Sequence, residues 1–195
     1  MTDITGGTLV AGVGNIFLGD DGFGVETVRR LAERPAPPGT EYLDVGIRGV
    51  HLAYRLLDGY RRLVVVDALA RGAEPGTVVV LDATEEVAGR GGALGPGGGV
   101  AMDAHSLDPA AVLRLIRDLH RGMGTAAPAS VHVVGCEPLD TAEGIGLSAP
   151  VAAAVPYAMA AVDRLTAPTP VTRSDLSEES SEEGTRSWHG HGSRR

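Results

Sequence analysis

Thr8-Leu9-Val10-Ala11-Gly12-Val13 runs without a break into Gly14-Asn15-Ile16-Phe17-Leu18-Gly19-Asp20-Asp21-Gly22-Phe23-Gly24, and this junction decides the fold. The first six residues are almost continuously apolar, as expected of a strand covered on both faces. Val25, Val28 and Leu31 then recur at helical spacing, so the chain passes from strand through a glycine-rich turn into a helix. That is the opening of a βαβ unit.

Working outward, the same alternation returns. Glu41 to Val45, Leu63 to Asp67, Thr77 to Leu81 and Ser130 to Gly135 read as further strands. Gly49 to Asp58, Pro109 to His120 and Ala149 to Leu165 carry helical apolar spacing, and Gly22 to Glu33 is the first helix. Asp108-Pro109 and Ser148 ahead of Pro150 supply cap and first-turn signals for the last two helices. Ala68 to Gly76 is shorter than the dozen or so residues a parallel crossover needs, which makes the fourth strand an antiparallel edge. The expected fold is a three-layer, mostly parallel twisted α/β sheet of about five strands with helices on both faces. Its default ligand site lies at the carboxyl ends of the central strands.

The 195 residues suit one α/β domain with an appendage. We assign 1–165 to the domain and 166–195 to a tail expected to be disordered, because Ser174 to Glu183 and the segment after it lack periodic apolar residues. Gly89 to Gly99 holds seven glycines and a proline in eleven positions, which predicts a mobile loop inside the domain.

The net charge is −8, and all seventeen basic residues are Arg with none clustered into a stripe. A nucleic-acid partner is therefore not expected. The most apolar stretch, Ala149 to Val162, contains Pro150 and Pro156 and falls short of the roughly 18 residues needed to span a bilayer. With one cysteine and no cationic start leading into an apolar run, the expectation is a cytoplasmic protein with no membrane partner.

The glycine-rich turn admits three readings. A dinucleotide fingerprint would need a glycine where Phe17 stands, and Asp20 and Asp21 would repel a phosphate at the helix start. Both acids could simply favour the helix N-terminus. They could also serve a cation, as an acid pair beside Gly12-Val13-Gly14-Asn15 at a strand end. Asp67 ends the third strand, and a carboxylate there must face a polar crevice or find partners. First and third strands are normally neighbours in such sheets, which would bring Asp21 and Asp67 together. His105, after the glycine loop and before a helix, could add an imidazole to these two oxygen donors and leave positions open for substrate.

Taken together, Gly12-x-Gly14-Asn15 with Asp20-Asp21-Gly22-x-Gly24, Asp44 before Gly46, Asp67-Ala68, His105, and Gly144-x-Gly146-Leu147-Ser148-x-Pro150 resemble the hydrogenase maturation endopeptidase family. The resemblance covers roughly residues 8 to 165. It implies a nickel-dependent endopeptidase that removes the C-terminal peptide from a metal-loaded [NiFe]-hydrogenase large-subunit precursor. It further implies that Asp21, Asp67 and His105 are the catalytic and metal-contacting residues and that Asp44 takes part in substrate recognition. The nickel would come with the precursor, and other soft divalent ions could substitute in the isolated protein. Asp44-Val-Gly-Ile-Arg48-Gly49 replaces the Asp-Gly-Gly-Thr of many relatives, so Arg48 joins Asp44 as a recognition candidate. The competing reading is a non-catalytic metal- or nucleotide-binding α/β module. Cys136 reads as a small buried side chain, and His51 and His132 as packing or surface residues.

Overall fold

A computed structural model of the chain describes residues 6–89 and 109–167, the side chains of 109–111 excepted. Five strands form one sheet: β1 (Thr8–Val13), β2 (Thr40–Gly46), β3 (Arg62–Ala68), β4 (Val78–Asp82) and β5 (Ser130–Cys136). Their order is β2-β1-β3-β5-β4, with every pair parallel except β4 against β5. The expected antiparallel edge is therefore present. The helices are α1 (Phe23–Ala32), α2 (Gly49–Arg55), α3 (Thr84–Ala88), α4 (Pro109–Met123) and α5 (Ala149–Thr166). The short α3 was not anticipated, since five residues cannot display a helical period. The Gly89 to Gly99 loop beyond Gly89, Asp108 and the tail from Pro168 onward lie outside the described residues.

Strand alternation sorts the core into two layers. Leu9, Ala11, Val13, Leu63, Val65, Val131 and Val133 face α2, α3 and α4, which contribute Leu52, Val87 and Ile116, with Leu56 from the 3-10 turn that follows α2. Val10, Val64, Val66, Val134 and Cys136 face the other way, onto Phe23, Val28 and Leu31 of α1 and Val151, Val155 and Val162 of α5. Successive side chains of a strand point to opposite faces, so a run apolar at every position needs cover on both. The continuous Val and Leu runs supply it.

The glycines of the opening motif serve this packing. A Cβ on Gly24 would stand 2.1 Å from the Val66 carbonyl oxygen and 2.3 Å from that of Val13, and one on Gly12 would stand 2.4 Å from the Gly24 oxygen. The start of α1 thus lies directly on the backbones of β1 and β3, an approach only glycine permits. After β1 the chain turns outward to β2, and after β2 it crosses to β3 on the far side of β1. The carboxyl ends of β1 and β3 therefore frame the point where the topology reverses, and open α/β sheets place their ligand crevice there.

Candidate functional site

Asp20 and Asp21 occupy a 3-10 turn, Gly19–Gly22, between β1 and α1, and their roles divide. Asp20 is fully buried and its carboxylate accepts hydrogen bonds from the backbone N–H groups of Leu139, Asp140 and Ser148 at 2.8, 3.1 and 2.7 Å and from the Ser148 hydroxyl at 2.8 Å. Burial alone would push its pKa up, but these donors outweigh it and hold the group below the usual carboxylate range. Asp20 clamps the segment 139–148 onto the turn. Backbone hydrogen bonds from Gly19 to the Gly144 oxygen and from Gly144 to the Phe17 oxygen, both 2.9 Å, complete the junction.

Ser148 occupies the N-cap position of α5 but caps it with no side-chain hydrogen bond, because its hydroxyl is turned to Asp20. The sequence signal located the helix start correctly and misassigned the hydroxyl's partner. Nothing local to Ser148 could have revealed an acceptor so far away in the chain.

Asp21 has the opposite environment. It receives the Asn15 N–H on Oδ2 at 2.6 Å, and burial without further donors raises its pKa. A carboxylate desolvated in this way favours any partner that restores charge compensation. Gly14 sits between Asp21 and Asp67: at φ +125°, its added Cβ would fall 1.8 Å from the Asp21 carbonyl oxygen and 3.7 Å from Asp67 Oδ1. Asp67 is buried at the end of β3, with Oδ1 accepting the Ala68 N–H at 2.8 Å. The backbone of Asp21, on the turn after β1, and the carboxylate of Asp67, at the end of β3, thus approach the same glycine. His105 lies outside the described residues, and among the described residues no group of three or more acids, histidines or cysteines is arranged to hold a metal ion. The Asp21 and Asp67 pair offers hard oxygen donors, a fit to a divalent ion that brings or finds its remaining ligands elsewhere.

Beside this edge opens a cavity of about 280 Å³ lined by Gly14, Asn15, Phe17, Arg29, Asp44 and Arg48, among others. Asp44, on β2, is joined to Arg29 of α1, whose Nε and Nη2 approach Oδ2 at 3.0 and 2.9 Å. Sequence reading missed Arg29, since only the packing of α1 beside β2 brings the two together. Arg48 is exposed at the start of α2. The remaining candidates take the plain roles expected of them. Cys136 is buried and its thiol is pushed up to about 11 by desolvation and then by the Asp20 and Glu137 charges, which removes it as a nucleophile. His51 is exposed on α2, and His132 meets Ser130 Oγ at 3.2 Å.

At the same carboxyl edge, just after β5, a second carboxylate acts as Asp20 does. Glu137 accepts the Arg71 and Gly72 N–H groups at 2.7 and 3.0 Å and so fixes the loop joining β3 to β4.

A doubly wound sheet with Asp21 and Asp67 near its switch point and an adjoining cavity defines an α/β protein with an acid-lined crevice at the carboxyl edge of its sheet. The particular family follows from comparison. The family model described as HycI, hydrogenase maturation protease, matches residues 25–164, and the chain belongs to that family. It is 32% identical over 153 residues to the hydrogenase expression/formation protein HupD of Rhizobium leguminosarum, covering 77% of this chain and 69% of HupD. Among solved structures, the hydrogenase maturating endopeptidase HybD of Escherichia coli superposes with a TM-score of 0.62 at 28% identity, covering 83% of this chain and 94% of HybD. The hydrogenase 2 maturation peptidase of a Thaumarchaeota archaeon gives 0.59 at 26% identity, over 82% and 97%. The protein is accordingly a maturation peptidase, and the non-catalytic reading falls. No helix among the described residues is long and apolar enough to cross a membrane.

Proposed function

We propose that this peptidase cuts the C-terminal peptide from the precursor of a [NiFe]-hydrogenase large subunit once that precursor carries nickel, and that it does so in the cytoplasm. The observation that carries this reading is the approach of the Asp21 backbone and the Asp67 carboxylate to Gly14 at the switch point, with the Asp21 carboxyl desolvated and Asp67 buried. The Asp21 carboxyl is desolvated with the Asn15 N–H on Oδ2, so a cation arriving with the substrate would compensate its charge. His105 adds the third donor in this proposal. Nickel held by the precursor supplies Lewis-acid polarisation at the scissile carbonyl.

The chain's own residues do the rest. Asp21 and Asp67 orient the loaded precursor by ligation, and no activated serine or cysteine is present among the described residues, which favours attack by water. Cleavage then depends on assembly, because an unloaded precursor lacks the group that the acids grip. Asp44 lines the adjoining cavity and is held by Arg29, so in this proposal it serves recognition rather than ligation.

The direct test mixes the protein with a nickel-loaded and an unloaded precursor and follows the precursor's mass. Loss of a C-terminal peptide from the loaded form alone is expected, and Asp67→Ala abolishes it for every precursor. Asp44→Asn changes which precursor is accepted while leaving metal binding by the free protein intact. Equal processing of the unloaded precursor would remove the metal from the proposal.

A further inference from the structure

Four of the ten large apolar side chains exposed among the described residues lie on or beside α2 and the cavity. Val50 and Tyr54, 57% and 58% exposed, lie four apart on α2 and so share one face of it. Ile47, just ahead of that helix, is 59% exposed, and Phe17 across the cavity is 61% exposed; both line the cavity itself. An apolar strip thus leads from the cavity mouth along the outside of α2. Single exposed apolar side chains need no explanation, but a contiguous set marks a contact surface.

The charge on this strip is unlike that of the molecule. The chain carries −8, yet no acid occurs from Val45 to Leu57, where Arg48 and His51 are exposed. The flanking acids are already engaged, Asp44 by Arg29 and Asp58 by Arg55. A second copy of this chain would set Arg48 and His51 against their equivalents in an isologous contact, which disfavours self-association there. An apolar surface fringed with acids is what complements it.

We infer that the outer face of α2 is a docking surface for the folded body of the protein substrate, engaging an apolar, acid-fringed patch on it apart from the segment that enters the crevice. The inference rests on the proposed reading for the identity of that substrate. Docking at a distance from the reacting bond lets binding energy select the partner without being spent on the scissile peptide, so the strip governs KM rather than kcat.

The experiment uses the full chain and the nickel-loaded precursor. The double variant Val50→Glu with Tyr54→Glu is expected to raise KM for processing at least tenfold and to leave kcat within twofold, with an unchanged thermal midpoint because both side chains are exposed. Arg48→Glu raises KM in the same sense, whereas Arg48→Lys and Tyr54→Phe restore near wild-type values. In parallel, a photo-crosslinking residue at position 50, in a chain also carrying Asp67→Ala, should capture the precursor whether or not it is cut. Normal processing with an unchanged KM in the double variant overturns the docking surface and leaves the protease reading standing. Capture of the precursor without processing by the otherwise wild-type chain supports the surface and sinks the protease reading. Crosslinks that map to a second copy or within the same chain overturn the inference.

Discussion

Asp20 and Asp21 are chemically identical neighbours whose surroundings drive them apart, and each direction has a consequence for stability. Asp21 has its folded pKa raised, so its neutral form suits the fold and its charged form costs stability. That contribution is fully favourable below the unfolded value near 3.8 and is lost as pH rises through the raised folded value. Asp21→Asn should therefore raise the urea midpoint at pH 7, an advantage that shrinks to nothing below about pH 4, while ending processing. A lower midpoint at pH 7 would show that the charge is compensated in the free protein. Asp20 runs the other way: its pKa is depressed, so its stabilisation is present above 3.8 and is lost as pH falls through the depressed value. Asp20→Asn puts an NH2 group where backbone donors point, and we expect a loss of about 3 kcal/mol at pH 7, measured by urea unfolding. Ser148→Ala, which removes one donor of the four, should cost about 1 kcal/mol.

At the scale of elements, the contact of α1 with β1 and β3 is the join on which the site depends, because it fixes the turn that carries both acids. Gly24→Ala forces a methyl group to within 2.1 Å of a backbone oxygen that cannot give way. The helix must lift, and a destabilisation of about 3 kcal/mol or more is expected from overpacking, read as a shift in the urea midpoint with an unchanged slope. Gly39→Ala is the useful control. It has a positive φ of 71°, which the helical Gly24 lacks, but its added Cβ meets nothing within 4 Å. Its cost should stay near 1 kcal/mol, from backbone strain alone. A Gly24→Ala protein as stable as the Gly39→Ala protein would mean that the helix and sheet are not held at the distance described.

For the whole molecule, the two core layers draw on every described helix and the second closes with Val162 and Leu165, near the end of α5. Arg62 also reaches α5, donating from Nη1 to the Leu165 carbonyl at 3.0 Å. The domain's stability is therefore expected to reside upstream of Ala167. Truncation after Ala167 should leave the thermal midpoint within about 2 °C, since roughly 1 kcal/mol shifts a domain of this size by 2–4 °C. Precursor processing should persist as well. Loss of processing with an intact midpoint would assign the tail a part in substrate binding.

The order of strands and helices and the antiparallel β4 edge were legible in the sequence. Each depends on local period, on loop length, or on a topology that such patterns permit in few ways. The glycines of the opening motif were legible as a signal, but their purpose was not, since the close approach of Gly24 to Val66 joins two segments that no local pattern relates. For the same reason the sequence could not separate Asp20 from Asp21: what distinguishes them is whether the distant segment 139–148 supplies donors, and it supplies them to Asp20. Nor could it pair Arg29 with Asp44 or gather Phe17 with Ile47 at one cavity. The candidates for chemistry were named from the sequence alone, whereas their surroundings and partners were decided by tertiary structure, because desolvation and hydrogen bonding depend on which distant parts of the chain are folded against each group.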